Sequence, residues 1–113
     1  MPFKIGLAEK RKMVLQDELE RIIPKIIELE IEKLILFGSL ASDSISKSSD
    51  IDLIVIKKTG KRFLDRLEDF YIHLRLQVGM DILVYTPEEF EEMKHKNHFV
   101  KSALKNGRIL YER

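Results

Sequence analysis

The chain has no cysteine, which removes disulfide frameworks and thiolate chemistry together. A reducing, cytoplasmic setting fits that absence. An excess of one charge is missing too: 20 Lys and Arg stand against 19 Asp and Glu, a net +1. Such a balance gives no bulk attraction for DNA or for an anionic membrane. No apolar run approaches the roughly 18 residues that span a bilayer. Met1-Pro2-Phe3-Lys4-Ile5-Gly6 also lacks the apolar core of a secretory leader. The expectation is a cytoplasmic chain without membrane association. At 113 residues and 44% hydrophobic content, residues 1–113 are expected to form one small domain with a real core.

What is present reads as alternating helices and strands. Leu15, Leu19, Ile22, Ile23, Ile26 and Ile27 recur at helical spacing within Leu7 to Leu29. Pro24 lies inside that run and has no N–H to donate, so a kink or a break is expected there. Lys33 to Phe37 and Ile51 to Lys57 are short apolar runs, read as buried strands. Phe63, Leu64, Leu67, Phe70, Tyr71 and Leu74 mark a second amphipathic helix, with Phe63, Phe70 and Tyr71 as a core stripe. Val78 to Tyr85 is a third strand. Thr86-Pro87-Glu88-Glu89 reads as a helix start: a capping hydroxyl, a proline at the first position, and acids at the positive end. The helix that follows, to Leu104, is interrupted at Asn97-His98 and ended by Gly107, and Arg108 to Tyr111 forms a last edge strand. The fold class expected is α/β (α+β), a small mixed sheet of three to four strands flanked by helices.

Chemistry concentrates where the first two strands meet their loops. Gly38-Ser39 leaves the strand ending Leu34-Ile35-Leu36-Phe37, and Asp50-Ile51-Asp52 opens the next. Glycine permits a tight turn and a close ligand approach. The backbone N–H groups after it, with the Ser39 hydroxyl, suit phosphate oxygens. Residues two apart on a strand share a face and lie about 6.6 Å apart, so Asp50 and Asp52 point the same way. Two such carboxylates repel each other, and a divalent cation offsets that cost. Mg²⁺ prefers one or two carboxylates together with substrate phosphates. Asp81 opens the third strand, and if that strand pairs beside the second, three carboxylates converge. Three acids can hold two metal ions roughly 3.5–4 Å apart, the arrangement for in-line transfer of a phosphoryl or nucleotidyl group.

Taken singly, each feature has a plain explanation. A Gly-Ser is usually a turn, and an Asp-x-Asp is usually a solvated strand end. Their conjunction on consecutive strands, with Asp81 on the third, is what points to chemistry. His95 and His98 share a helical face but sit among lysines and read as exposed surface. Tyr85 and Tyr111 carry no signal beyond their hydroxyls.

Leu36-Phe37-Gly38-Ser39 with Ser49-Asp50-Ile51-Asp52-Leu53 resembles the signature of the minimal nucleotidyltransferases of the DNA polymerase β-like superfamily. The ten-residue spacing is similar to that of antitoxins paired with HEPN-domain toxins. The resemblance implies metal-dependent transfer of AMP from ATP to a hydroxyl, in those pairs a tyrosine of the toxin. Carried onto this chain, Gly38 and Ser39 would hold the triphosphate. Asp50, Asp52 and Asp81 would be the catalytic carboxylates, binding Mg²⁺ (two ions). The implied partners are ATP and a HEPN-type toxin, with a homo-oligomer possible and nucleic acid disfavoured. One departure stands out. Many members carry an arginine soon after the Gly-Ser, whereas here Leu40-Ala41 leads to Ser42-Asp43. Lys47, Lys57, Lys58, Lys61 and Arg62 are the nearby cations, each read as solvated surface. The alternative functions are a non-catalytic antitoxin that neutralises its partner by contact, and a nucleotide-sensing module. A phosphatase with an aspartyl nucleophile is disfavoured, because the acids do not open the first strand.

Overall fold

The computed structural model describes residues 6–113; the leader reading of Met1 to Ile5 lies outside them. Helix α1 (Leu7–Ile27) precedes strand β1 (Lys33–Phe37), a short helix α2 (Gly38–Ser42) and strand β2 (Ile51–Ile56). Helix α3 (Phe63–Leu74) crosses over to β3 (Met80–Tyr85), and α4 (Pro87–Lys96) and α5 (His98–Asn106) lead to β4 (Arg108–Glu112). The four strands form one mixed sheet in the order β3-β2-β1-β4. Strand β1 runs antiparallel to both β2 and β4, while β2 and β3 are parallel. A parallel pair needs a long crossover, and α3 supplies it. The expected mixed sheet of three to four strands therefore has four.

Strands β1 and β2 are central and covered on both faces, which explains their unbroken apolar runs. Leu34, Leu36, Leu53 and Val55 pack toward α1 and α3, against Leu15, Ile22, Ile26, Phe70 and Leu74. The alternate residues Ile35, Phe37, Ile54 and Ile56 face α4 and α5, against Phe90, Val100 and Ala103. Among the described residues, no helix is long and apolar enough to cross a membrane.

Helix α1 does not break at Pro24. It continues to Ile27, and the Glu28 N–H closes onto the Pro24 carbonyl at 3.1 Å. The proline ring is on the exposed side, while Ile22 and Ile26 are fully buried on either side of it. Burying one such side chain contributes about 1.5–3 kcal/mol. Two of them outweigh the roughly 3 kcal/mol that an interior proline costs.

The helix start after β3 forms as its residues imply. Thr86 Oγ1 accepts from the Glu89 N–H, and the Glu89 carboxylate accepts from the Thr86 N–H in return. Asn97 then ends α4 and caps α5, its side chain accepting from the Val100 N–H at 3.1 Å. Glu89 has a second task. It takes two hydrogen bonds from Arg66 of α3, whose guanidinium also donates to the Val84 and Lys61 carbonyls. Arg66 is 7% exposed, so this ion pair ties the crossover helix to the strand and to α4.

Glu89→Ala should therefore unfold the protein more easily. Removing one partner of a buried pair costs about 3–5 kcal/mol, but the Glu89 side chain is 42% exposed, which lowers that figure. The expected loss is about 2–3 kcal/mol, cap included. It would be read as a lower urea midpoint with an unchanged m-value.

Candidate active site

The site begins with a row of register partners across three strands. Phe37 pairs with Asp52, and Asp52 pairs with Asp81. Register partners project to the same side, so all three side chains stand on the face that carries α4 and α5. Neighbouring strands are about 4.8 Å apart, so the two carboxylates are brought side by side. Asp52 responds to that position. Burial, and then the charge and hydrogen bonding of Asp81, push its pKa from 3.8 up to about 6, with the Asp50 charge adding to the effect.

The chain reverses at Gly38, the one described glycine with positive φ, at 74°. A Cβ there would overlap the Asp52 carboxylate, so the turn and the acid fit together only with glycine. A second glycine, Gly79, does the same for Asp50: a Cβ would run into its carboxylate.

Asp50 is held differently from the other two acids. Its Oδ1 accepts from Arg11 Nη2 at 3.0 Å, and Arg11 Nε donates to the Ser49 carbonyl at 2.7 Å. Helix α1 thus grips the residue from 39 positions upstream. Among the described residues, no three His, Cys, Asp or Glu side chains are grouped as a ready metal cage. Asp52 and Asp81 are brought together, while Asp50 stands beside them in an ion pair. An oxygen-only donor set with one partly buried acid beside like charges suits Mg²⁺, which keeps ligands for water and phosphate.

Two cavities open on either side of Asp52. The first, about 450 Å³, is bordered by Gly38, Ser39, Ser42, Ser44 and Asp52, with Ser102 and Asn106 of α5 across from them. The second, about 360 Å³, contains Asp52 and Asp81 with Leu67 and Tyr71 of α3. Phe37 and Phe99 line both. Their rings meet edge to face, 5.2 Å apart at 89°, and Phe99 is 48% exposed.

The acid in the spacer is turned away from this centre. Asp43 caps α2 in the left-handed region, at φ 57°, and pairs with Lys12 of α1 at 2.6 Å. Lys12 lowers its pKa. Ser42, in the place of the arginine, donates to the Gly38 carbonyl at 3.1 Å and shares a 2.7 Å bond with Ser44. Lys57, Lys58, Lys61 and Arg62 line neither cavity and bond to groups elsewhere. His95 and His98 are exposed, as expected, and His73 pairs with Glu28.

Three residues of the site escaped the sequence. Arg11 and Phe99 gave no signal, because nothing local marks a contact to Asp50 or a position beside Gly38. Tyr71 was read as core, yet Phe70 is buried and Tyr71 is 40% exposed. Adjacent residues on a helix diverge by about 100°, and Phe70 shares its buried stripe with Leu74 instead.

The family profile described as polymerase beta, nucleotidyltransferase, matches residues 20–113. The chain belongs to this family. It is 34% identical over 82 residues to a Methanocaldococcus jannaschii protein named as a putative protein adenylyltransferase, covering 72% of this chain and 79% of that one. Among solved structures, it resembles one described as a putative nucleotidyltransferase from Sulfolobus solfataricus. The TM-score there is 0.64, at 19% identity, covering 97% of this chain and 91% of that one. A second likeness is to a toxin–antitoxin structure with AMP-PNP, at a TM-score of 0.53 and 18% identity, covering 83% and 73%. Both share the nucleotidyltransferase fold found here.

Two substitutions probe the geometry. Asp52 has a folded pKa raised above its unfolded value, so the stability it contributes is present below about pH 4 and lost as pH rises through about 6. Asp52→Asn should flatten that dependence and raise Tm at neutral pH, by roughly 5 °C, in calorimetric scans without metal. Gly38→Ala should lower Tm instead, because a left-handed non-glycine residue costs about 1–2 kcal/mol before the displacement of Asp52 is counted.

Proposed function

We propose that this nucleotidyltransferase moves AMP from ATP to a protein hydroxyl, with Mg²⁺ required. We further propose that the acceptor is a tyrosine of a HEPN-type toxin for which the chain is the antitoxin. The observation that carries the reading is the Asp52–Asp81 pair between two cavities, with Gly38-Ser39 on one side only. The naming of the Methanocaldococcus relative supports a protein acceptor. The spacing of Gly38-Ser39 and Asp50-x-Asp52, similar to that of HEPN-paired antitoxins, supports the partner.

The roles follow the layout. The larger cavity takes the nucleotide, with Gly38 and Ser39 against its triphosphate. The smaller takes the acceptor, whose hydroxyl meets Asp81. Asp50, Asp52 and Asp81 would hold Mg²⁺, which supplies charge neutralisation on the triphosphate and a more acidic attacking hydroxyl. On this reading Asp81 receives the hydroxyl proton, and the Phe37–Phe99 pair screens the reacting centre from water. A cytoplasmic setting, where ATP is plentiful, fits this chemistry.

A second reading has its own observation: no Lys or Arg lines either cavity among the described residues. On that reading the chain neutralises its partner by contact, or senses nucleotide without turnover.

One experiment separates them. With MgATP and the cognate toxin, label from α-labelled but not γ-labelled ATP should appear on the toxin. Asp52→Ala should reduce the transfer on the order of 100-fold or more. Full neutralisation by an Asp50→Ala/Asp52→Ala double variant, with no label transferred by the wild type, would establish the contact reading instead.

A further inference from the structure

The acceptor cavity contains a hydroxyl of its own. Among the described residues, strand β3 is an edge strand, paired only with β2. In a parallel ladder, alternate residues turn their backbone groups away from the partner strand. The Ile51 N–H bonds to the Gly79 carbonyl, so the Met80 carbonyl points off the open edge. Tyr71 Oη donates to that carbonyl at 3.3 Å. The distance is long for an O–H···O bond, so the phenol is held loosely. The bond also uses its proton and leaves the oxygen lone pairs uncommitted. The next residue along β3 is Asp81, and Tyr71 is the only hydroxyl bordering this cavity among the described residues.

The other tyrosines are placed less well. Tyr85 shares the Asp81 side of β3 but is 8% exposed, and burial pushes its hydroxyl pKa up. Tyr111 lies on β4, at the opposite edge of the sheet.

We propose that Tyr71 is a self-modification site, receiving AMP from ATP bound to the same chain when no external acceptor fills the cavity. The proposal rests on the nucleotidyltransferase reading above. In the step, Tyr71 Oη forms a bond to the α-phosphorus of ATP. The bond from that phosphorus to the oxygen bridging the β-phosphate breaks, and pyrophosphate leaves with the electron pair. The phenolic proton passes to the Asp81 carboxylate. The attached AMP then occupies the acceptor cavity, which closes it to other hydroxyls.

The full chain incubated with MgATP alone tests this, read by intact mass and peptide mapping. The expected result is a single AMP on Tyr71, formed at a rate independent of protein concentration and absent from Tyr71→Phe. A binding measurement accompanies it. An ATP analogue with an uncleavable α–β bridge should, with Mg²⁺, slow nitration of Tyr71 by tetranitromethane. An unmodified Tyr71 in a chain that still labels its toxin overturns the inference and leaves the function standing. A chain that labels no acceptor at all overturns both. An adduct on another residue, an adduct that persists in Tyr71→Phe, or a nitration rate unchanged by the analogue also overturns the assignment.

Discussion

The parallel register of β2 against β3 is the constraint from which the site follows. It sets Asp52 directly beside Asp81, and no rearrangement short of a strand slip can part them. A slip of one residue would turn every side chain of β3 to the wrong face. Ile82 and Val84 would leave the α1–α3 core and Asp81 would enter it. The burial of those apolar residues therefore fixes a like-charge contact that the two acids alone would not choose. Asp52 has its pKa raised at that position, first by its burial and then by Asp81. It is the residue most in need of a cation, and it is also the one that borders both cavities.

The rest of the fold serves to keep that row accessible from one side. Helices α1 and α3 pack on one face of the sheet, and α4 and α5 pack on the other, where Phe99, Ser102 and Asn106 of α5 border the larger cavity. The Arg66–Glu89 pair anchors α3, which borders the smaller cavity through Leu67 and Tyr71, to the start of α4. Asn97 then redirects the chain, ending one helix and starting the next. That turn brings Phe99 against Phe37 and sets the wall between the cavities. A straight helix from Pro87 onward would not deliver Phe99 there.

Much of this was legible in the residues, for identifiable reasons. The runs of β1 and β2 are continuous because both faces are covered, and a buried strand of that kind has few other readings. Thr86-Pro87 with Glu89 announces a cap through local hydrogen bonds alone. Gly38, Asp52 and Asp81 could be proposed as neighbours on the condition that the third strand pairs beside the second, as it does. Contacts set by the packing of distant elements were not legible. Arg11 reaches Asp50 across 39 positions, and only the docking angle of α1 decides that. Of the two outcomes expected at Pro24, the break does not occur, because the burial of Ile22 and Ile26 holds the helix together. Tyr71 misled because aromatic character was weighed above its angle to Phe70.

The missing arginine takes on a different meaning once Asp43 is placed. In the sequence, Ser42 stands where the cation belongs and the acid Asp43 follows it, a pair that disfavours a triphosphate. In the fold, Asp43 points to Lys12, and the spacer is tied down by α1 at both ends, through Lys12 at Asp43 and Arg11 at Ser49 and Asp50. The cations of α1 therefore hold the loop in shape and do not face the nucleotide cavity. What remains there for phosphate is the turn at Gly38, a group of serine hydroxyls and the acids themselves. Neutral donors are weaker partners for phosphate than an arginine fork, and bare carboxylates repel it. On the proposed function, then, the positive charge that binds the triphosphate must come from the metal. Nucleotide and Mg²⁺ should enter as one complex, because neither has a strong site without the other.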